Sequence, residues 1–178
     1  MQSPAPTTAT EEERRPASIL AIYSWDMVLA LLALLGALAA FGGQATVGTR
    51  TVPVGLGEQI LAAVESASFA ALLIILATLL TRRHRWVRIA QMATLAIAIA
   101  LGAVSLLLAA VVPGQGLQSS ALTALLVLIV DAAAIVALTA QRVTAWYNQG
   151  GAMPRYITGT IIFWAAAGAV LIVLQTVR

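Results

Sequence analysis

Residues 125–142, LLVLIVDAAAIVALTAQR, form an apolar run with one carboxylate, Asp131, near its middle. Extended back to residue 118, the run reaches the roughly 20 residues that an α-helix needs to cross a bilayer. An ionised acid in hydrocarbon is costly, so Asp131 marks either a functional group or a contact with a partner that the rest of the chain must supply.

The surrounding chain has the same character. Of its 178 residues, 61% are hydrophobic and only 10% are charged, against roughly 25% charged in soluble domains. The mean hydropathy is +0.95. Apolar stretches recur at about 18–42, 58–81, 86–112, 118–140 and 156–177, each long enough to span. Backbone groups at that depth have to be satisfied within the segment, which selects helices. The expected fold is therefore an all-α integral membrane protein, a bundle of about five transmembrane helices (18–178) behind a polar tail (1–17).

Several chemistries have no residues to carry them. There is no cysteine, so disulfides, thiolate metal sites and cysteine nucleophiles are excluded. The single histidine, His84, falls in a loop and cannot form a bis-histidine haem site. Ser66, Ser68 and Ser105 have no histidine or lysine at their depth to act as a base, so an intramembrane enzyme is not expected. No phosphate-binding glycine motif occurs in the loops. No metal is expected, and the sequence names no cofactor, because groups held by apolar contact leave little trace in so greasy a chain.

The sequence pI is about 10.2, and all ten basic residues are arginines. Their positions account for the basicity without nucleic acid. Arg14, Arg15, Arg82, Arg83, Arg85, Arg88, Arg142 and Arg155 alternate onto one side, leaving Arg50 and Arg178 on the other. Arginine-rich short loops stay cytoplasmic, so the N-terminus is expected inside and the C-terminus outside. Tyr23, Trp25, Trp86, Trp146, Tyr147 and Tyr156 fall near the same ends, as a headgroup belt would. The absence of lysine and the abundance of alanine fit a GC-rich bacterial genome, hence a bacterial plasma (inner) membrane. The cluster TRRHRWVR at 81–88 reads as a topology signal, and Arg82, Arg83 and Arg85 also suit anionic lipid headgroups.

The connections are expected to be loops. GGQATVGTRTVPVGLG and VPGQGLQSS are short and glycine-containing, and the segment around Gly150, Gly151 and Pro154 carries turn signals. The tail MQSPAPTTATEEERRPAS has little to bury and suits docking on a partner. LLALLGALAA followed by GGQA resembles a signal-peptide core, but Asp26, the acidic EEE and the length of the run argue against cleavage. LLTRRHRW and LTAQRVTAW form a faint echo after helices two and four.

Helical spacing locates the polar faces. Asp26, Ala30, Ala33, Ala37 and Ala40 form a small-residue stripe in the first helix, expected to face the bundle. Arg88, Gln91, Thr94, Ala98, Gly102 and Ser105 share a face of the third; Ser120, Ala124, Asp131 and Ala134 share one of the fourth; Thr158, Ala165, Gly168 and Gln175 share one of the fifth. Counted from the cytoplasmic ends, Asp26 lies at about 12 Å, Asp131 at about 13 Å and Gln91 at about 8 Å. These residues and the long side chain of Arg88 are expected to converge as an intramembrane polar cluster, with a proton, a partner or water balancing the second acid. Glu65, about 11 Å from the outer end of its helix, is expected to be isolated, with Arg50, Ser105 or another protein as its available partners.

Interhelical polar contacts are worth only about 0.6–2 kcal/mol each, so they suit specificity of packing. The function expected is that of a small non-catalytic accessory or structural subunit of a larger, energy-converting membrane complex. Its partners are then the lipid bilayer and other membrane protein subunits. The alternative is a small transporter or proton/ion channel with Asp26, Glu65 and Asp131 as stations; no helix is broken in mid-span as transporter sites often are.

Overall fold

The structure, a computed structural model, describes residues 16–47, 50–111 and 119–176. The side chains of residues 44–47, 50–52, 119, 120 and 175 are outside that description. The docking tail, Arg14, Arg15, Arg178 and most of the VPGQGLQSS connection therefore lie outside the described residues, as do the side chains of Arg50, Ser120 and Gln175.

Five long helices dominate: α1 (Ala17–Ala39), α2 (Leu56–Leu79), α3 (Arg85–Val111), α4 (Ser119–Thr139) and α6 (Arg155–Thr176). All five are long and apolar enough to cross a membrane, as in a multi-pass membrane protein. Two shorter features depart from the expectation of plain loops. After α1 the chain makes a 3-10 turn (Ala40–Gly42) and an antiparallel ribbon of β1 (Gln44–Val47) and β2 (Arg50–Pro53), with Gln44 opposite Pro53. Its Ala-Thr-Val and Arg-Thr-Val runs supply β-branched residues that prefer extended backbone. After α4, Ala140 adopts an extended ψ of 139° and a short helix, α5 (Gln141–Trp146), follows. The fold is thus all-helical in its long elements, as expected, with one small ribbon in a connection.

The helices are arranged as a closed circuit. α1 packs along α2, α3 along α4, and α1 also touches α4. α6 packs against both α2 and α3, which touch each other only sparingly. The order around the bundle is therefore α1, α2, α6, α3, α4 and back to α1. Close approach on α6 depends on Gly168, where a Cβ would lie 3.0 Å from Leu101 Cδ1 and 3.7 Å from a Glu65 oxygen.

Packing is uneven along the axis. At the end carrying the 81–88 loop, Ile19, Ile22, Leu80, Val87, Leu95, Leu138, Val143 and Tyr147 form a continuous buried cluster. A second cluster joins Leu72, Leu76, Ala90, Ile157, Ile161 and Trp164, and a third joins Leu29, Ala30, Ala70 and Leu73. Towards the other end, no side chain of α3 from Ala96 to Val111 is buried, nor any of α4 from Ala121 to Val130. Leu107, Val111, Leu122 and Leu126 are instead exposed, which in a bilayer places them in lipid.

At the well-packed end the 81–84 loop and the segment after α5 are fastened together. His84 pairs with Gln149 in a short parallel bridge, with Gln149 N donating to Arg83 O (2.9 Å) and Arg85 N to Gln149 O (3.0 Å). The Tyr147 hydroxyl donates to Leu80 O at 2.8 Å, satisfying one of the carbonyls that a helix end leaves open. Arg83 lies over the Trp146 ring, 4.1 Å from its centroid. The two members of the faint sequence echo are thus in direct contact.

Candidate functional site

The polar faces turn inward as their spacing implies. On α1, Asp26, Ala30 and Ala37 are buried and Ala33 is half-buried, while Leu31, Leu35 and Leu38 point out. α2, one short connection away, meets that stripe with Ala70 and Leu73. On α3, Gln91 and Thr94 are buried, and the face opens towards Ser105, which is exposed. On α4, Asp131 and Ala134 are buried.

The centre of the site is four residues from three helices. Gln91 Nε2 of α3 donates to both oxygens of Asp26 on α1, at 2.9 and 2.8 Å. Trp25, the residue before Asp26, donates its indole N–H to Asp131 Oδ1 of α4 at 2.8 Å. Consecutive residues of α1 therefore serve opposite roles, Trp25 as donor to one acid and Asp26 as the other acid. Both carboxylates are almost wholly enclosed, Asp26 at 0% and Asp131 at 1% exposure. Thr94 uses its hydroxyl locally, donating to Ala90 O at 2.9 Å. Gln91 Oε1 is buried and has no hydrogen-bond partner among the described residues.

Arg88 does not join the acids. Its guanidinium bonds the Thr144 hydroxyl on α5 and faces Leu138 O at 3.5 Å, near the end of α4. The cause is its depth. Arg88 lies in the first turn of α3, level with the last carbonyls of α4, where a cation gains from the negative end of the helix dipole. Gln91, one turn further in, is left to meet Asp26. Among the described residues, both acids are held only by uncharged donors.

Glu65 is not isolated within the bundle. Trp164 Nε1 of α6 donates to Glu65 Oε1 at 2.8 Å, and Ser66 Oγ donates to Oε2 at 3.2 Å. Phe69, one turn along α2, stacks on the Trp164 ring with centroids 4.6 Å apart and planes 12° from parallel. Ser105, an expected partner, is exposed. Of the residues expected to meet anionic lipid, Arg82 and Arg85 are exposed, and Arg83 is half-buried on Trp146.

Tryptophan is the residue type that sequence reasoning underrated. Trp25 reads as part of a headgroup belt and Trp164 lies outside that belt, yet each supplies the indole N–H that holds an interior acid. Indole is a donor with no acceptor, so it can hold a carboxylate in an apolar span without bringing a charge of its own. Trp164 also falls on a stripe with Ile157, Ile161 and Gly168, all buried, a spacing of four, three and four that points it inward. Tyr147, likewise read as a belt residue, is buried at 1% exposure.

The arrangement can lock helix to helix and can hold or release a proton at a carboxyl group. Comparison of the chain with protein-family models, with curated proteins and with solved structures found no match to any of the three.

Proposed function

We propose that this chain is a small non-catalytic accessory subunit of a larger membrane protein complex. It sits in a bacterial plasma membrane with its N-terminus and arginine-rich loops in the cytoplasm and its C-terminus outside. The observation that carries this reading is the use made of the three interior acids. Each is tied by an uncharged side chain to another helix: Asp131 to Trp25, Asp26 to Gln91, Glu65 to Trp164. Polar groups used in this way fix which helices pack together and in what register. The placement of eight arginines on one side supports the orientation.

Support for association comes from the uneven packing. A bundle closed firmly at one end and fringed by exposed Leu107, Leu122 and Leu126 at the other offers apolar helix faces to neighbours in the membrane. The exposed Arg82 and Arg85 suit anionic headgroups at the cytoplasmic boundary. An energy-converting assembly is the kind of complex favoured, since such complexes employ small helical subunits that lack machinery of their own.

The test is gentle purification from the native membrane at endogenous levels, followed by intact-complex mass spectrometry. Stoichiometric partner subunits are expected. A lone monomer or homo-oligomer would overturn this reading in favour of the alternative, a small transporter or proton/ion channel using Asp26, Glu65 and Asp131.

A further inference from the structure

Asp26 and Asp131 are both buried, on the contacting helices α1 and α4, and their partners differ in kind. Trp25, which holds Asp131, can only donate. Gln91, which holds Asp26, can both donate and accept. In the structure Gln91 offers its nitrogen to both Asp26 oxygens, and its buried Oε1 has no donor among the described residues. This is how an amide meets an ionised carboxylate: two acceptors avoid each other, and one donor is shared. It leaves the acceptor half of the amide unused in an interior where unpaired polar atoms are costly.

A proton on Asp26 would resolve that mismatch. The carboxyl O–H gains Gln91 Oε1 as acceptor while Gln91 Nε2 keeps the other Asp26 oxygen, giving a cyclic acid–amide pair. The movement required is a rotation about the terminal torsion of Gln91, which is broad and soft. No equivalent exists at Asp131, whose indole partner has nothing to accept a proton with. We propose that the Asp26–Gln91 pair is a proton-binding site, with a shared-donor form when Asp26 is ionised and a cyclic form when it is protonated. The proton comes from and returns to solvent, and no other bond changes.

The charged groups facing the pair are few. α4 contributes Asp131, held by the Trp25 indole. α3 contributes Arg88, one turn away and committed to Thr144 and the Leu138 carbonyl. α2, packed on the other side of α1, meets Asp26's stripe with the apolar Ala70 and Leu73, and its own Glu65 is engaged by Trp164. This site goes beyond the accessory-subunit reading and stands whether or not partner subunits are found.

The experiment is infrared difference spectroscopy of the purified protein in liposomes, titrated in pH and repeated with sodium chloride replaced by choline chloride. A protonated-carboxyl carbonyl band is expected to rise on acidification, to be lost in Asp26→Asn, and to move to higher frequency in Gln91→Leu, where the O–H and carbonyl lose their amide partner. Gln91→Leu keeps the carboxyl, so it reads the pair even where Asp26→Asn does not fold. The proposal is overturned if no such band appears at any pH at which the protein stays folded. It is equally overturned if the band survives in Asp26→Asn and vanishes in Asp131→Asn, or if sodium abolishes it where choline does not, which would make the ligand a metal cation.

Discussion

The indole N–H of Trp164 donates to the Glu65 carboxylate at 2.8 Å, and Phe69, on the same helix as that acid, stacks on the same indole. One side chain of α6 is thus gripped twice by α2, once through a hydrogen bond and once through its ring face. An interhelical hydrogen bond of this kind contributes about 0.6–2 kcal/mol and a stacked aromatic pair about 0.5–1.5 kcal/mol.

Trp164→Phe should keep the stacking and lose the bond, lowering stability in detergent by about 1–2 kcal/mol. Glu65→Gln keeps an acceptor for the indole and should cost less than half as much. A double-mutant cycle between Trp164→Phe and Glu65→Leu should give a coupling near 1 kcal/mol, read from thermal unfolding. A coupling of zero would mean that the bond does not form.

Asp131→Asn preserves an oxygen acceptor for Trp25, whereas Asp131→Leu leaves the indole N–H unpaired in a closed interior. The leucine variant should therefore be destabilised by about 1–3 kcal/mol and the asparagine variant by clearly less. Equal and negligible effects would show that Asp131 is not in a buried network.

Gly168 should tolerate little. Gly168→Ala asks Leu101 Cδ1, at 3.0 Å, to shift by a few tenths of an ångström and should cost under about 1 kcal/mol. Gly168→Leu should cost about 2–3 kcal/mol by forcing α6 away from α2 and α3. Adding Leu101→Ala should recover part of the loss, and its failure to do so would place the conflict elsewhere.

The chain has no cysteine, so single introduced cysteines report sidedness directly. Asn148→Cys and Gly57→Cys, both at exposed positions at opposite ends of the bundle, should be labelled from opposite faces of the membrane, Gly57→Cys in intact cells. Asn148→Cys should react only after the membrane is permeabilised. The reverse pattern would invert the proposed orientation.

The five long helices were legible because 20-residue apolar runs leave little alternative. The inward stripe of Asp26, Ala30 and Ala37 was legible because a spacing of three and four puts small residues on one face. The place of Arg88 is not legible from its reach alone, because the Thr144 hydroxyl and the end of α4 compete for the guanidinium. α5 could not be seen because six residues with no apolar period carry no periodic signal. The pairing of Trp164 with Glu65 could not be seen because it depends on α6 lying beside α2, a choice of neighbour that helical periodicity alone does not encode.

That choice of neighbour has a consequence for how the protein is made. α2 and α3 are synthesised early and joined by a tight connection, yet the helix seated between them emerges after α4 and α5. During insertion the earlier four helices must leave a cleft, with Glu65 lacking its indole and Gly168 still to arrive. α6 closes that cleft as a wedge, so completion of the bundle waits for the late part of translation, and until the residues from Arg155 onward are made Glu65 keeps Ser66 but lacks Trp164.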